Sequence, residues 1–380
     1  MAASVAASPP PHLLHVFPGF TIGGAQMRMV AVANHFGPAF RHSIISLSGQ
    51  TEAAARLDDA VPARLPAAPP PKPGLLDSVR RCRALLRDIR PDLLVTHNWG
   101  SIDWAIANAL VGLPHVHIED GFGPDERSRQ LPRRVWTRRL VLRRATVVLP
   151  SRTLERIATG LWRLPRRHVR YIPNGIDLAR FAPAAPNAAA PPPWPRDRPV
   201  IGTVAGLRPE KNLARLLDAF ARLRATRPAR LVIVGDGPER AALAARAASL
   251  GIAGDVTFAG ATADTPRAYR GFDIFALSSD TEQMPLSLLE AMGCALPVAA
   301  TNVGDVAGML AEGNRRFVVA QDAQALADAL AALLADPQAA RALGAANRAR
   351  AVRDFDQAAM FAAYAALFRA AAAAPSGASQ

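Results

Sequence analysis

The sequence predicts an α/β protein built from two doubly wound domains in tandem, which face each other across a cleft. Its 380 residues exceed one ordinary hydrophobic core and favour two domains of roughly 150–200 residues each. Short apolar runs alternate with helical patterns along nearly the whole chain, which is typical of parallel sheets covered on both faces. A proline- and alanine-rich stretch separates this alternation into two halves.

The first half, residues 1–182, contains five strand-like runs with helical patterns between them. The strands are predicted at Leu13–Phe17, Arg41–Leu47, Asp92–Thr96, His115–Ile118 and Thr146–Leu149. The helices are predicted from about Ala25, and over Leu75–Ile89, Trp99–Leu110 and Arg133–Arg144. Strands joined through helices in this way form a parallel sheet.

Residues 183–198 are predicted to be a semi-rigid linker because they are rich in proline and alanine. The alternation resumes in a second domain, residues 199–354. Its strands are predicted at Val200–Val204, Leu231–Val234, Val256–Phe258, Asp273–Leu277, Pro297–Ala300 and Phe317–Val319. Its helices are predicted at Asn212–Ala225, Glu239–Leu250, Leu286–Met292, Ala323–Leu334 and Pro337–Val352. A last helix covers residues 355–372.

Composition indicates a cytoplasmic protein. Met1–Pro11 has neither the basic start nor the apolar run of a secretory signal peptide. No stretch of 18 uncharged apolar residues predicts a transmembrane helix. The two cysteines, Cys82 and Cys294, are far apart, so we expect reduced thiols.

The positive charge is concentrated in one segment. Residues 127–170 hold fourteen arginines and one acid, an excess of thirteen within a formal net charge of +14. Such a segment attracts polyanions, so nucleic acid and anionic lipid are both candidates. The helix Arg133–Arg144 mixes arginine with Trp136 and leucines, which suits a membrane interface better than base stacking. We therefore expect peripheral attachment to the inner face of a membrane, and no nucleic-acid partner.

In doubly wound sheets the ligand lies outside the carboxyl ends of the strands. After the first strand, Gly23 and Gly24 precede a helix and let backbone approach a ligand. The segment is not G-x-G-x-x-G, so no dinucleotide cofactor is predicted. His97 follows the strand Asp92–Thr96 and is expected to face the cleft.

The first strand of the second domain ends in a predicted anion cradle. The segment from Gly206 to Lys211 places Arg208 and Lys211 three residues apart before a helix. Arginine binds phosphate with two parallel hydrogen bonds, and lysine adds a point charge. Only two of the 45 basic residues are lysines, so a lysine at this position is informative.

Two glutamates follow the strand Asp273–Leu277. Glu282 lies in a loop, and Glu290 lies about a turn and a half along the next helix, which Pro285 begins. This placement suits a pair of catalytic carboxylates across one bond poorly. Carboxylates near a helix N-terminus can instead accept hydrogen bonds from the hydroxyls of a sugar and a ribose.

Together these segments resemble family 4 of the glycosyltransferases, whose members are retaining enzymes of the GT-B fold with two Rossmann-like domains. The resemblance covers most of the chain. It is carried by Gly23-Gly24, Pro173-Asn-Gly-Ile-Asp177, Gly206-Leu-Arg-x-x-Lys-Asn212, Val234-Gly-Asp-Gly-Pro-Glu239, Val256-Thr-Phe-Ala-Gly260 and Glu282-(seven residues)-Glu290. The order and spacing of these motifs are more specific than any one of them.

The resemblance implies a role for each matched residue. Arg208 and Lys211 would hold the diphosphate of a nucleotide-sugar donor, with Gly206 in their loop. Glu282 would contact the donor sugar together with backbone N–H groups of Gln283, Met284 and Leu286, and Glu290 would bind the ribose. The acceptor would be a glycan or a lipid-linked glycan, which suggests synthesis of cell-surface polysaccharide, lipopolysaccharide or glycolipid.

The resemblance also implies that neither a metal nor a cofactor is needed, since fixed cations stabilise the departing diphosphate. The last helix would cross back onto the first domain.

Two positions depart from the family pattern. Gln283 stands where the family usually has glycine and adds a side chain beside the donor sugar. The family histidine that follows the strand Pro114–Ile118 is missing, and Glu119 or Asp120 occupies its place. We choose Asp120 as the group that contacts a donor hydroxyl or orients the acceptor.

Two alternatives stay open at this point. The same fold could serve a nucleotide-sugar epimerase or a phosphorylase, although a phosphorylase would normally carry a pyridoxal lysine and Lys211 is the only lysine in the second domain. The arginine-rich segment could instead belong to a non-catalytic polyanion binder. Release of nucleotide from nucleotide sugars separates the enzymes from the binder.

Overall fold

A computed structural model describes residues 9–68, 74–126, 129–183 and 194–373. The chain divides into two compact units. Met1–Pro173 and Met360–Gln380 form one, here the N-unit, and Asn174–Ala359 form the other, the C-unit.

The N-unit contains a seven-stranded sheet whose strands pair in parallel, in the order β3-β2-β1-β4-β5-β6-β7. The strands are β1 (His12–Phe17), β2 (Arg41–Ser46), β3 (Ala63–Arg64), β4 (Leu93–His97), β5 (His115–Ile118), β6 (Thr146–Leu149) and β7 (Val169–Tyr171). The helices are α1 (Gly24–Phe36), α2 (Leu75–Ile89), α3 (Ile102–Asn108), α4 (Pro132–Val141) and α5 (Arg152–Gly160). The central strands are buried on both faces, which explains why they are apolar runs rather than alternating patterns.

The C-unit contains a six-stranded parallel sheet in the order β10-β9-β8-β11-β12-β13. Its strands are β8 (Val200–Val204), β9 (Arg230–Val234), β10 (Val256–Gly260), β11 (Ile274–Leu277), β12 (Val298–Thr301) and β13 (Val318–Val319). Its helices are α6 (Leu213–Arg224), α7 (Arg240–Ser249), α8 (Thr265–Arg270), α9 (Leu286–Gly293), α10 (Val306–Met309), α11 (Ala323–Ala335) and α12 (Pro337–Asp354).

Both sheets confirm the predicted doubly wound α/β class. In each sheet the strand order reverses at one point, between β1 and β4 in the N-unit and between β8 and β11 in the C-unit. Loops that leave neighbouring strands at such a point diverge and open a crevice at their carboxyl ends. Four loops therefore define where ligands are expected, two in each unit.

The terminal helix α13 (Gln357–Ala372) packs in the core of the N-unit. Met360, Phe361, Tyr364 and Phe368 recur at helical spacing and lie with Leu13, Val32 and Val95 in one buried cluster.

The unit boundary differs from the predicted one. It falls between Pro173 and Asn174, whereas the sequence placed it at a linker over residues 183–198. Ile176 and Phe181 pack in a C-unit core, and Trp194, inside the predicted linker, is buried and stacks on Phe272 with ring centroids 5.7 Å apart. The middle of that linker, residues 184–193, lies outside the described residues.

Sequence patterning also missed α5, β7, α8, β3 and α10. The first two lie in the arginine-rich segment, where long basic side chains hide the apolar periodicity. Helix α5 nevertheless has a strong start signal, since the Ser151 hydroxyl accepts a hydrogen bond from the Leu154 N–H at 3.0 Å.

Candidate functional site

Two loops of the C-unit bring a lysine and a glutamate together at the point where the strand order reverses. Lys211 follows β8 and Glu282 follows β11, and the Lys211 Nζ lies 2.5 Å from the Glu282 Oε1. The Ser279 hydroxyl donates a second hydrogen bond to the same oxygen at 2.9 Å. The structure therefore joins two residues that are 71 positions apart in sequence.

The Lys211 Nζ and the Glu282 Oε2 can each still form hydrogen bonds with a ligand. Among the described residues, the Lys211 ammonium donates only to Glu282, so two of its three N–H groups have no protein acceptor. The Glu282 Oε2 likewise accepts no hydrogen bond within the described part of the chain. The site thus presents a cationic donor and an anionic acceptor side by side.

Asp280 ties these two loops to each other. Its Oδ1 accepts hydrogen bonds from the Asn212 amide at 3.0 Å and from the Arg215 guanidinium at 2.7 Å. Asn212 has left-handed backbone geometry, with φ at 43°, and its side chain caps the N-terminus of α6 through the Arg215 N–H. Because Lys211 directly precedes this cap, its position is set by the start of α6.

A polar recess lies beside the Lys211–Glu282 pair. Thr203, Ser279 and Ser287 line it together with the two charged residues. Ser287 is in the first turn of α9, and no side chain of the described residues caps that helix N-terminus. The arrangement suits an anion, because a lysine and a residue from the first turn of a helix line the same recess.

The loop that carries Glu282 is held from two sides. The Asn174 amide donates to the Met284 carbonyl at 2.9 Å, and the Asn174 N–H approaches the Met284 sulfur at 3.3 Å. The Gln283 carbonyl accepts from the Asp305 N–H at 3.0 Å. Asn174 belongs to the Pro173–Asp177 motif, so this motif supports the Glu282 loop from within the C-unit.

The remaining predicted donor residues have distinct environments. Met284 is buried with its side chain in the core, and Leu286 is the first residue of α9. The Arg208 side chain is mostly exposed, and its Nε lies 3.1 Å from the Glu210 carboxylate. Gly206 lies beside that guanidinium. Arg208 is therefore not in direct contact with the Lys211–Glu282 pair.

Glu290 accepts a hydrogen bond from a buried tyrosine that the sequence analysis did not single out. The Tyr269 hydroxyl donates to the Glu290 Oε2 at 2.6 Å. Burial raises the pKa of Glu290, and the Tyr269 hydrogen bond and the Arg180 charge oppose that shift. Burial also raises the pKa of Tyr269, so its hydroxyl stays protonated and acts as the donor.

In the N-unit, Asp120 is held by an arginine rather than left open. The Arg28 guanidinium donates two hydrogen bonds to the Asp120 carboxylate, at 2.6 and 2.9 Å. The Asp120 N–H donates to the Asn98 side-chain oxygen at 2.7 Å. Asp120 thus lies between the loop after β5 and the loop after β4, with Arg28 reaching it from α1.

The expected exposure of His97 is wrong. Its ring is 1% exposed and stacks on Phe17 with centroids 3.6 Å apart, and its Nε2 lies 3.3 Å from the His15 Nδ1. His97 is the last residue of β4, and the alternation of side chains along a strand turns it into the core. Burial lowers the pKa of His97 well below its ordinary value.

Glu119 also differs from its predicted ligand-facing role. It is fully buried, with its Oε2 lying 3.3 Å from the Arg138 Nε and 3.6 Å from the His117 Nε2. Arg138 is itself buried, and its guanidinium lies over the rings of Trp99, Phe122 and Trp162. Glu119 therefore belongs to an internal ion-pair cluster, which leaves Asp120 as the carboxylate nearer the surface.

The Gly23–Gly24 turn starts α1. Gly23 is the N-cap with extended backbone, and its carbonyl accepts from the Met27 N–H at 2.8 Å. Within the described part of the chain, no side chain caps this helix N-terminus. Within the described residues, no group of three or more histidines, cysteines or carboxylates is arranged to hold a metal ion.

Trp136 and Leu140 stand out on the surface of α4. They are 57% and 69% exposed and lie one turn apart on the same face. The Arg139 guanidinium lies 4.6 Å from the Trp136 ring centre and donates to the carbonyl of Leu161, a third exposed apolar residue. We call Trp136, Arg139, Leu140 and Leu161 the α4 patch. No helix in the described ranges is long and apolar enough to cross a bilayer.

The fold is that of the GT-B glycosyltransferases. HepE from Anabaena, solved in complex with UDP, superposes with a TM-score of 0.77 at 20% identity, covering 95% of this chain and 100% of that one. It has also been solved with UDP-glucose. At this level of identity the likeness concerns the fold alone, and it confirms the predicted architecture.

Sequence similarity places the chain more narrowly. Residues 22–180 match the model "Glycosyltransferase Family 4", and residues 186–350 match "Glycosyl transferases group 1". The chain belongs to glycosyltransferase family 4, as the sequence motifs indicated.

Two curated relatives illustrate the range of the family. A GDP-mannose-dependent alpha-(1-6)-phosphatidylinositol monomannoside mannosyltransferase from Mycolicibacterium smegmatis is 34% identical over 203 residues, 48% of this chain and 52% of that protein. A D-inositol 3-phosphate glycosyltransferase from Segniliparus rotundus is 30% identical over 287 residues, 70% of this chain and 63% of that protein. The chain thus spans between half and two thirds of the length of these relatives.

Proposed function

We propose that the protein transfers a sugar from a nucleotide-diphosphate sugar to a hydroxyl of an acceptor, with retention of configuration. The observation that carries the proposal is the Lys211–Glu282 pair, which has two N–H donors and one carboxylate oxygen without protein partners among the described residues. A sugar diphosphate offers the matching groups, namely phosphate oxygens for the lysine and hydroxyls for the glutamate.

The chemistry follows from where charge develops. Breaking the bond between sugar and phosphate leaves negative charge on the diphosphate. In the proposed reaction, Lys211, Arg208 and the N-terminus of α9 stabilise that charge. These fixed cations let the proposed reaction proceed without a metal. The departing phosphate oxygen takes the proton of the attacking hydroxyl, so the transfer requires no strong protein base.

Glu282 and Asp120 have different proposed tasks. Glu282 accepts a hydrogen bond from a donor-sugar hydroxyl through its open Oε2, and Lys211 and Ser279 fix its other oxygen. Asp120, fixed by Arg28, contacts a donor hydroxyl or orients the acceptor. Gln283 lies next to Glu282 and adds a side chain that bears on which sugar fits.

The acceptor is proposed to be a glycan or a lipid-linked glycan, in the synthesis of cell-surface polysaccharide, lipopolysaccharide or glycolipid. The relatives support this class, since the mannosyltransferase named above acts on a phosphatidylinositol monomannoside. Both UDP and GDP donors are represented among the similar proteins.

An epimerase on the same fold remains the competing reaction. Without an acceptor, an epimerase converts the sugar of its nucleotide donor, whereas a transferase needs the acceptor hydroxyl to release nucleotide efficiently. Acceptor dependence of nucleotide release therefore separates the two reactions.

The experiment is a panel of UDP-, GDP- and ADP-sugars incubated with the protein and a lipid-linked glycan extract, with nucleotide release as the readout. We expect release with one nucleotide and a product that keeps the donor's anomeric configuration. Lys211→Ala should lower the rate about 10²–10³-fold. Arg246→Ala, which removes a cation paired with Asp218 on the surface of the same unit, is the matched control. Equal rates for the two variants would contradict the site.

We further propose that the protein works at the cytoplasmic face of an anionic membrane, to which the α4 patch attaches. Exposed tryptophan and leucine beside arginine is the composition of an interfacial helix surface. Each arginine near an anionic surface adds about 1 kcal/mol of attraction. Sedimentation with lipid vesicles tests this partner.

A further inference from the structure

Tyr269 holds the carboxylate of Glu290 in one orientation. Its hydroxyl donates to the Glu290 Oε2 at 2.6 Å, and its ring is fully buried between Phe181, Phe272 and Phe275 with centroids 5.8–6.0 Å away. Packing on several sides fixes the ring, so the hydroxyl cannot follow the carboxylate if it turns. The hydrogen bond therefore sets the direction of both Glu290 oxygens.

The other carboxylate oxygen of Glu290 is Oε1. This oxygen accepts no hydrogen bond from the residues that the structure describes. Glu290 lies three positions after Ser287, hence on the same face of α9, and Ser287 lines the recess beside Lys211 and Glu282. Oε1 is thus an unpaired acceptor on the side of the helix that carries the donor site.

We propose that Tyr269 is a positioning residue for the nucleotide: it fixes Glu290 so that Oε1 accepts a hydrogen bond from a ribose hydroxyl of the donor. This inference rests on the proposed function, since it assumes that a nucleoside diphosphate occupies the C-unit. Tyr269 acts only through Glu290 and touches no part of the substrate.

Nucleotide binding distinguishes a positioning role of Tyr269 from a purely structural one. If Tyr269 acts through the ribose hydroxyls, its removal weakens the binding of nucleotides that carry these hydroxyls. The binding of 2′,3′-dideoxy nucleotides is then unaffected. If Tyr269 only fills space in the core, its removal weakens the binding of both classes of nucleotide equally. The comparison separates the loss of one hydrogen bond from a general loosening of the core.

The test is Tyr269→Phe in the full chain, with calorimetric titration of UDP, GDP and their 2′,3′-dideoxy forms. We expect about tenfold weaker binding of the ribose nucleotide and no change for the dideoxy form, in line with the loss of an oriented charged hydrogen bond. Tyr171→Phe, which removes a hydroxyl from the N-unit, is the matched control and should bind both forms like the parent protein.

A second variant keeps the test informative if Tyr269→Phe is unstable. Glu290→Gln should show the same ribose-dependent loss, and adding Tyr269→Phe to it should cost no further affinity because the two residues act as one unit. Unchanged ribose binding by Tyr269→Phe, or an equal loss for the dideoxy form, would overturn the proposal. Failure of the parent protein to bind any of the nucleotides would instead count against the proposed function.

Discussion

At the scale of single residues, burial decides which polar side chains belong to the core. His15, His42 and His97 form a buried chain, with ring nitrogens 3.2 and 3.3 Å apart. Burial lowers the pKa of His15 and His97 well below the ordinary value and that of His42 to about 4. All three stay neutral at neutral pH, so they resemble core residues more than catalytic bases.

These histidines predict an acid-sensitive fold. Below about pH 6.5 the unfolded chain protonates them and the folded chain does not, so unfolding takes up protons and the free energy of unfolding falls. Each such histidine costs roughly 1.4 kcal/mol per pH unit until its folded pKa is reached. Urea unfolding between pH 7.5 and 5 should show this slope, and His42→Phe should reduce it. An unchanged free energy of unfolding across that range would show that the histidines are protonated in the fold.

At the scale of elements, a turn after β12 supports the loop of Glu282. Gly304 has φ at +52°, and a Cβ at this position would lie 2.1 Å from the Glu282 carbonyl oxygen. Only glycine combines this backbone conformation with so close an approach. The location of Glu282 therefore depends on a residue 22 positions later, which no pattern around Glu282 reveals.

Replacing this glycine should move the donor site more than it destabilises the fold. Gly304→Ala is expected to cost about 1–3 kcal/mol of stability through its left-handed conformation, and to raise the donor KM as the Glu282 loop shifts. Gly308→Ala, in α10 with open space around its Cβ position, is the control and should change neither the Tm nor the KM. Equal behaviour of the two variants would mean that the contact with Glu282 does not position the site.

At the scale of the whole molecule, charge and exposed apolar surface coincide. The arginine-rich segment supplies an excess of thirteen positive charges, and the α4 patch lies within it. Not every arginine in this segment can contact an anionic surface, because Arg138 is buried with Glu119 and Glu126. The basic helix is thus divided between an inner face that packs in the N-unit and an exposed outer face, which is the face proposed to attach to a membrane.

The outer face predicts a measurable affinity for membranes. The protein should sediment with vesicles that contain anionic phosphatidylglycerol at about 0.05 M salt, and 1 M salt should release most of it. Trp136→Ala combined with Leu140→Ala should reduce sedimentation severalfold. Leu75→Ala combined with Leu76→Ala, which removes two equally exposed leucines from α2, should not. Equal retention of both pairs would contradict attachment through α4.

Much of the candidate site could be predicted from the sequence. The glycines, Arg208, Lys211 and Glu282 lie in loops that follow strands, and Glu290 lies in the helix after one of these loops. The alternation of strands and helices predicts ligands at this edge of each sheet. The contact of Tyr269 with Glu290 and that of Asn174 with Met284 were not predicted, because a side chain that acts on a residue 21 or 110 positions away leaves no local pattern. His97 was misassigned since a residue at the end of a strand can face the core or the loop, and only packing decides.

The sequence by itself determined the fold class, most of the elements in their order, the family and the loops at the strand ends, because period, turn residues and motif spacing are local properties. Tertiary structure alone decided the boundary at Asn174, the burial of His97 and Glu119, the contact of Lys211 with Glu282 and the tyrosine behind Glu290. These features depend on which side chains meet across long sequence separations, and packing in three dimensions sets that.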